Sequence, residues 1–339
     1  MARIVLGIAT SHSPMLSTPW EQWGERVNAD RQNPELAFRG GIYGFDALEE
    51  KRCGEPLAAE ITPEKWRARH AGCQAAIDTL ATKFSEVSPD VAVIIGNDQR
   101  ELWNEENMAA FTVFWGEEIA NRPRTKEQIA NLPPGIAVAE RGHAPPQEII
   151  HPGMPDLGRH IIRSLIAEEF DVGQSARLPR GTGYVNGAPH AFGFVYRRIM
   201  HDRLVPNVPV ILNTFYPPNQ IPVGRCVKLG KALKRAIESW DADKTVAVFG
   251  SGGLSHFVVD ETLDRKVLAA MGEGDLNALA AIDEAMFQSG TSEIMNWITH
   301  AAVMAECGMK MNLLDYIPCY RSLAGTGNAM GFACWEAKK

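Results

Sequence analysis

The sequence predicts an α/β fold, a layered sheet with helices on its faces. Three observations carry this expectation. Short apolar runs at 3–8, 91–95, 109–116, 208–214 and 245–249 are strand-length and end in glycine or polar residues. Amphipathic helical stretches alternate with them. Four of the runs lead into loops of similar chemistry, IATSHS, GNDQRE, NTFYPPN and GSGGLSH.

The elements follow in order. The run at 3–8 opens the chain and passes into TSHSPMLSTP, a loop with two prolines. Residues 20–60 are mixed, with glycines and a proline, and read as an irregular insertion with short helices. ITPEKWRARHAGCQAAIDTLATKF reads as a helix entered at Thr62, with Pro63 in its first turn and Glu64 behind it. The run 91–95 is next, then AAFTVFWG. Residues 120–153, rich in proline, glycine and charge, read as a second insertion or lid. Residues 156–170 are helical, 208–214 form a strand closed by a Pro-Pro turn, and 223–240 form an amphipathic helix with a basic face. The strand 245–249 runs into a glycine turn. From Leu263 the chain reads as largely helical with a Gly-rich tail, AGTGNAMGF. No internal repeat or composition break marks a boundary, so the expectation is a single domain over 1–339.

Composition narrows the classes of function. The chain has 339 residues, 45% hydrophobic, with a net charge of −7 and a pI near 5.8. It has no basic run of five, which argues against a nucleic-acid binder. Six cysteines without a CxxC pair fit reduced thiols better than a disulfide framework or zinc cluster. There is no signal-like apolar core at the start and no 18-residue apolar stretch, so a cytoplasmic protein without membrane contact is expected.

In a parallel sheet the strand ends share one edge, where ligand crevices lie. His12, Asp98, Gln99, Asn213 and His256 are therefore expected at one edge, although polar loops alone account for the pattern equally well. Taken singly, His12 reads more readily as a turn-capping residue than as a ligand, and His190 in GAPHAFGF could equally be a satisfied core histidine. Glu293 follows Thr291 and Ser292, which suit a helix start, and an acid in a first turn is favoured by the dipole. GSGG lacks the spacing of a nucleotide loop, and no GxSxG elbow occurs.

Read together, MARIVLGIATSHSPML, PVILNTFYPPNQIPVGRCVKLGKALKRAIES, VAVFGSGGLSHF and SGTSEIMNWITHAAVM resemble, in this order, the class III extradiol ring-cleavage dioxygenases. This is the LigB-like family of the protocatechuate 4,5-dioxygenase catalytic subunit. HAGCQAAI, GNDQ, PHAFGFVYRRIM and LNTFYPPNQ are most similar to its 3-O-methylgallate-type members. The resemblance implies a LigB-like core with insertions at about 20–60 and 120–150. It implies a non-haem Fe(II) that opens the ring of a vicinal-diol aromatic acid with O2. His12 and Glu293 would be metal ligands, His256 the acid/base and His190 a second polar group at the substrate or oxygen. Asn213 and Tyr216 would line the pocket.

One position departs from the family pattern. Where that pattern has Asn-Asp-His with a ligating histidine, this chain has Asn97-Asp98-Gln99. Gln99 itself, Asp98 or the remote His70 are the expected alternatives for the third ligand. A LigB-like binding protein or metal-dependent hydrolase with an altered site is the competing reading. A substrate carboxylate needs a cation or several N–H donors, and the arginines considered are Arg100, Arg180, Arg197, Arg198 and Arg225. The family often dimerises, so a homodimer is expected. No alpha subunit is expected to be fused.

Overall fold

The structure, a computed structural model, describes residues 1–104, 107–132, 136–178 and 187–336. Its core is a mixed sheet flanked by helices. Among the described residues this sheet has nine strands. At its centre lie four parallel neighbours: Arg3–Ser11, Thr245–Gly252, Val91–Asn97 and Asn207–Leu212. These are the four strands whose loops were alike, and their carboxyl ends meet at one edge. Every residue of Val91–Asn97 and Asn207–Leu212 is buried, as expected of strands covered on both faces. Phe111–Phe114 closes one side antiparallel to Asn207–Leu212, and Gly173–Ser175 follows it in parallel.

The helices are built from local signals. Pro63–Val87 starts with the Thr62 hydroxyl accepting from Lys65 N and ends at Ser88 in the left-handed region, φ 46°. The helix Ile294–Glu306 is mostly apolar and almost wholly buried, with Asn296, Thr299 and His300 as its buried polar residues. It packs on Val223–Ser239 and on the central strands. Residues 20–60 form the 3-10 turn Trp20–Arg26, the helices Val27–Gln32 and Phe45–Lys51, and a small strand pair. In the second insertion Glu118–Asn121 pairs with Ile149–Pro152.

The C-terminal region differs from the expectation of helices and a glycine tail. Lys310–Tyr320 and Thr326–Glu336 form a long antiparallel hairpin, whose second strand also pairs with Arg3–Ser11 and with His256–Val258. That second strand is buried at every residue but the last. Burial on both faces erases the alternation that identifies a half-exposed strand.

All six cysteines are free thiols. Among the described residues no helix is long and apolar enough to cross a membrane.

Candidate metal centre

At the shared edge His12, Gln99, Glu101, His190, His256 and Glu293 line one cavity of about 290 Å3. They arrive from five separate segments, Gln99 and Glu101 sharing the loop after Val91–Asn97. His12 follows the first strand, and its backbone N–H donates to Gly252 O at 3.1 Å, tying two strand ends together. Glu293 ends the 3-10 turn Ser289–Glu293, immediately before the buried helix. Thr291, a candidate cap for that helix, instead accepts from His256 N at 3.1 Å and donates to His256 O at 2.9 Å. This fastens the Glu293 turn to the His256 loop.

Glycines in both segments make room for the imidazole. A Cβ on Gly290 would lie 2.3 Å from His256 Cδ2, and one on Gly253 would lie 2.8 Å from His256 Cε1. The GSGG turn thus accommodates a ring and a close backbone approach rather than a phosphate.

The hydrogen bonds assign the tautomers. Ser251 donates its single proton to Ala191 O at 2.6 Å and so must accept from His12 Nδ1 at 2.9 Å. His12 Nε2 is left with a lone pair, 3.0 Å from Glu293 Oε2 and without a hydrogen-bond partner. Burial lowers the His12 pKa despite Glu293, which favours the neutral ring. A lone pair facing a buried carboxylate at that distance is repulsive unless a cation joins them. His190 donates Nδ1–H to Glu101 Oε2 at 2.7 Å, and its backbone N–H reaches the same carboxylate. Burial opposes charge on His190, but Glu101 outweighs it and raises the pKa to about 9. The His12 and His190 rings meet edge to face, 4.6 Å between centroids.

One donor atom from each of His12, His190 and Glu293 lies within 4.8 Å of the others. Two imidazoles and a carboxylate on one wall of a cavity suit a non-haem iron(II) with open positions. The orphaned His12 Nε2 and the carboxylate-backed His190 fit such an ion. A ligating histidine commonly donates its other nitrogen to a carboxylate or carbonyl, as Glu101 permits here.

A family model described as the catalytic LigB subunit of aromatic ring-opening dioxygenase matches residues 72–321. The chain belongs to this family. A gallate dioxygenase of Pseudomonas putida is 37% identical over 110 residues, 32% of this chain and 30% of that protein. The matched stretch thus spans less than a third of that relative's length.

The LigB chain departs from its sequence expectations in placement. Gln99 lines the cavity but directs its amide N–H at Glu293 Oε1, the oxygen that also receives Asn97 Nδ2 at 3.1 Å. The Asp98 carboxylate accepts the backbone N–H groups of Glu101, Leu102 and Trp103 at 2.8, 2.9 and 3.0 Å, and so shapes the loop. His70 packs beside Trp23 on the Pro63–Val87 helix and is absent from the described cavity lining. Asn213 donates to Tyr216 O at 2.7 Å and accepts Tyr216 N at 2.9 Å, holding the Pro-rich turn. Tyr216 lies under the Arg100 guanidinium, 4.3 Å from its centre. Neither Asn213 nor Tyr216 lines the cavity.

Arg197 pairs with Asp202, Arg198 donates to Gln74 Oε1 at 2.6 Å, and Arg225 covers Phe170. Arg180 lies outside the described residues. Among the described residues the arginines that line the cavity are Arg26 and Arg124, from the two insertions. Sequence reasoning passed over both, as it did Glu101, because irregular segments give no periodic signal.

Proposed function

We propose that this chain is an iron(II)-dependent extradiol-type dioxygenase that opens the ring of a vicinal-diol aromatic acid with O2. The observation that carries it is the convergence of His12, His190 and Glu293 in one cavity, with His256 Nε2 3.6 Å from Glu293 Oε2. In this reading His190 takes the third ligand position and Gln99 orients the carboxylate. Bound iron(II) supplies Lewis acidity to the substrate hydroxyls and electrons to O2.

The protein's own groups do the rest. His256 donates Nδ1–H to Leu254 O at 2.7 Å, so Nε2 faces the cavity as the proton acceptor. Burial disfavours its charged form, but Glu293 and the Leu254 carbonyl outweigh this and raise its pKa. His256 Nε2 can therefore take the proton of a substrate hydroxyl and return it to the opened product. Phe257, Ile136 and Met330 supply apolar walls for a planar ring. The small volume favours a single-ring acid such as gallate, its 3-methyl ether or protocatechuate. A homodimer, supported by the resemblance alone, and a cytoplasmic location, supported by the cysteine pattern, belong to the same reading.

The test is anaerobic loading with iron(II), then oxygen uptake with gallate, 3-O-methylgallate and protocatechuate. Uptake matched to loss of the aromatic absorbance is expected with at least one of them. No uptake with any vicinal diol contradicts the proposal.

A further inference from the structure

We infer that Arg26, aided by the Asn328 amide, is the carboxylate anchor that selects aromatic acids over plain catechols. This rests on the ring-opening reading for its substrate class. A carboxylate that leaves water for a cavity lined by buried side chains needs charge-assisted donors. Among the described residues the cavity wall offers two guanidinium groups, Arg26 and Arg124. Arg124 is neutralised by Glu140, Nε to Oε2 at 2.8 Å, in a cluster that also holds His143.

Arg26 is different. It is half-buried, yet among the described residues its guanidinium has no hydrogen bond or ion pair. The acid that acts on its charge, Asp30, is already engaged: both oxygens accept from Arg321, at 2.6 and 2.7 Å, and one also accepts from Thr326 Oγ1 at 2.6 Å. Burial and the nearby Arg321 lower the Arg26 pKa to about 10 despite Asp30. A desolvated guanidinium without its own anion remains available to a ligand anion.

Asn328 supplies the second donor. Arg321 Nη1 donates to Asn328 Oδ1 at 3.3 Å. Arginine only donates, so the amide oxygen must face it, and the NH2 group is left on the cavity wall. The Asp30–Arg321 pair also fastens the helix Val27–Gln32, directly after Arg26, to the C-terminal hairpin. Arg26 is thereby placed by a buried, fully satisfied bridge rather than by a loose loop.

The test compares gallate with pyrogallol, which lacks the carboxylate, by anaerobic calorimetry on the iron(II)-loaded chain. Arg26→Gln is expected to weaken gallate binding about 10- to 100-fold and leave pyrogallol within about threefold. Arg26→Lys, which keeps the charge but not the fork, should fall between for gallate and match the parent for pyrogallol. Equal losses for both ligands, or no loss for gallate, would overturn the inference. Selectivity that follows residue 26 without oxygen uptake by any diol would uphold it and remove the proposed function. Oxygen uptake with unchanged selectivity in both variants would remove the inference alone.

Discussion

Gln99 donates its side-chain amide to Glu293 Oε1, so the oxygen facing His12 and His256 is Oε2. Asn97 donates to the same Oε1, and Asn296 Nδ2 donates in turn to Asn97 Oδ1 at 2.8 Å. The residue standing where the family pattern has a ligating histidine thus holds the carboxylate by one oxygen. Gln99→Ala should keep most of the iron, whereas His190→Ala should lose it. Metal content after anaerobic loading and desalting checks both. Full retention in His190→Ala with loss in Gln99→Ala reverses the assignment.

Glu101 fixes His190 through Nδ1, leaving Nε2 toward the centre. Partners of this kind affect metal affinity by about 10- to 100-fold. Glu101→Gln should weaken iron(II) binding within that range in a chelator competition. An unchanged affinity would show that His190 does not need this support.

In the proposed reaction His256 is the proton acceptor and not a ligand. His256→Phe should retain iron but lower kcat by roughly 10²- to 10⁴-fold, the usual share of a general acid–base group. Gly290→Ala should approach the same phenotype indirectly, because the added methyl would lie 2.3 Å from the His256 ring. Steady-state kinetics beside metal analysis separates these outcomes from loss of the ion.

Two buried histidines predict the acid limb of stability. Burial lowers His300 to about 3, despite its bond to Val248 O, and burial lowers His151 to about 4. Both lie below the unfolded value near 6.5, so each is neutral in the fold. Their contribution is present above about pH 6.5 and is lost as pH falls toward 4 and 3. At pH 5 each should cost on the order of 2 kcal/mol relative to pH 7.5. Urea unfolding of His300→Gln across this range should show a shallower slope, whatever its absolute stability.

The sheet edge was legible because the apolar runs before Ser11, Asn97, Asn213 and Gly252 are long enough to be buried and end abruptly. Their parallel order then brought His12, Gln99 and His256 together, as the pattern implied. The hairpin at 310–336 was not legible. TGNAMGFACWE is buried on both faces and rich in small residues, so it carries neither alternation nor strong β propensity. The place of His190 was also hidden. Its orienting partner Glu101 is 89 positions away, and a histidine before AFGF reads equally well as core. Arg26 was missed because its significance depends on Asp30 being occupied by a residue 291 positions later. That is a tertiary fact with no local trace.

The central claim is that His12, His190 and Glu293 grip a single iron(II). An anaerobic crystal structure of the iron-loaded chain, with anomalous data at the iron edge, tests it most directly. The account predicts one anomalous peak bonded to two imidazole nitrogens, from His12 and His190, and to a Glu293 oxygen. A peak bonded to Gln99 in place of His190, or no peak in this cavity, would contradict it.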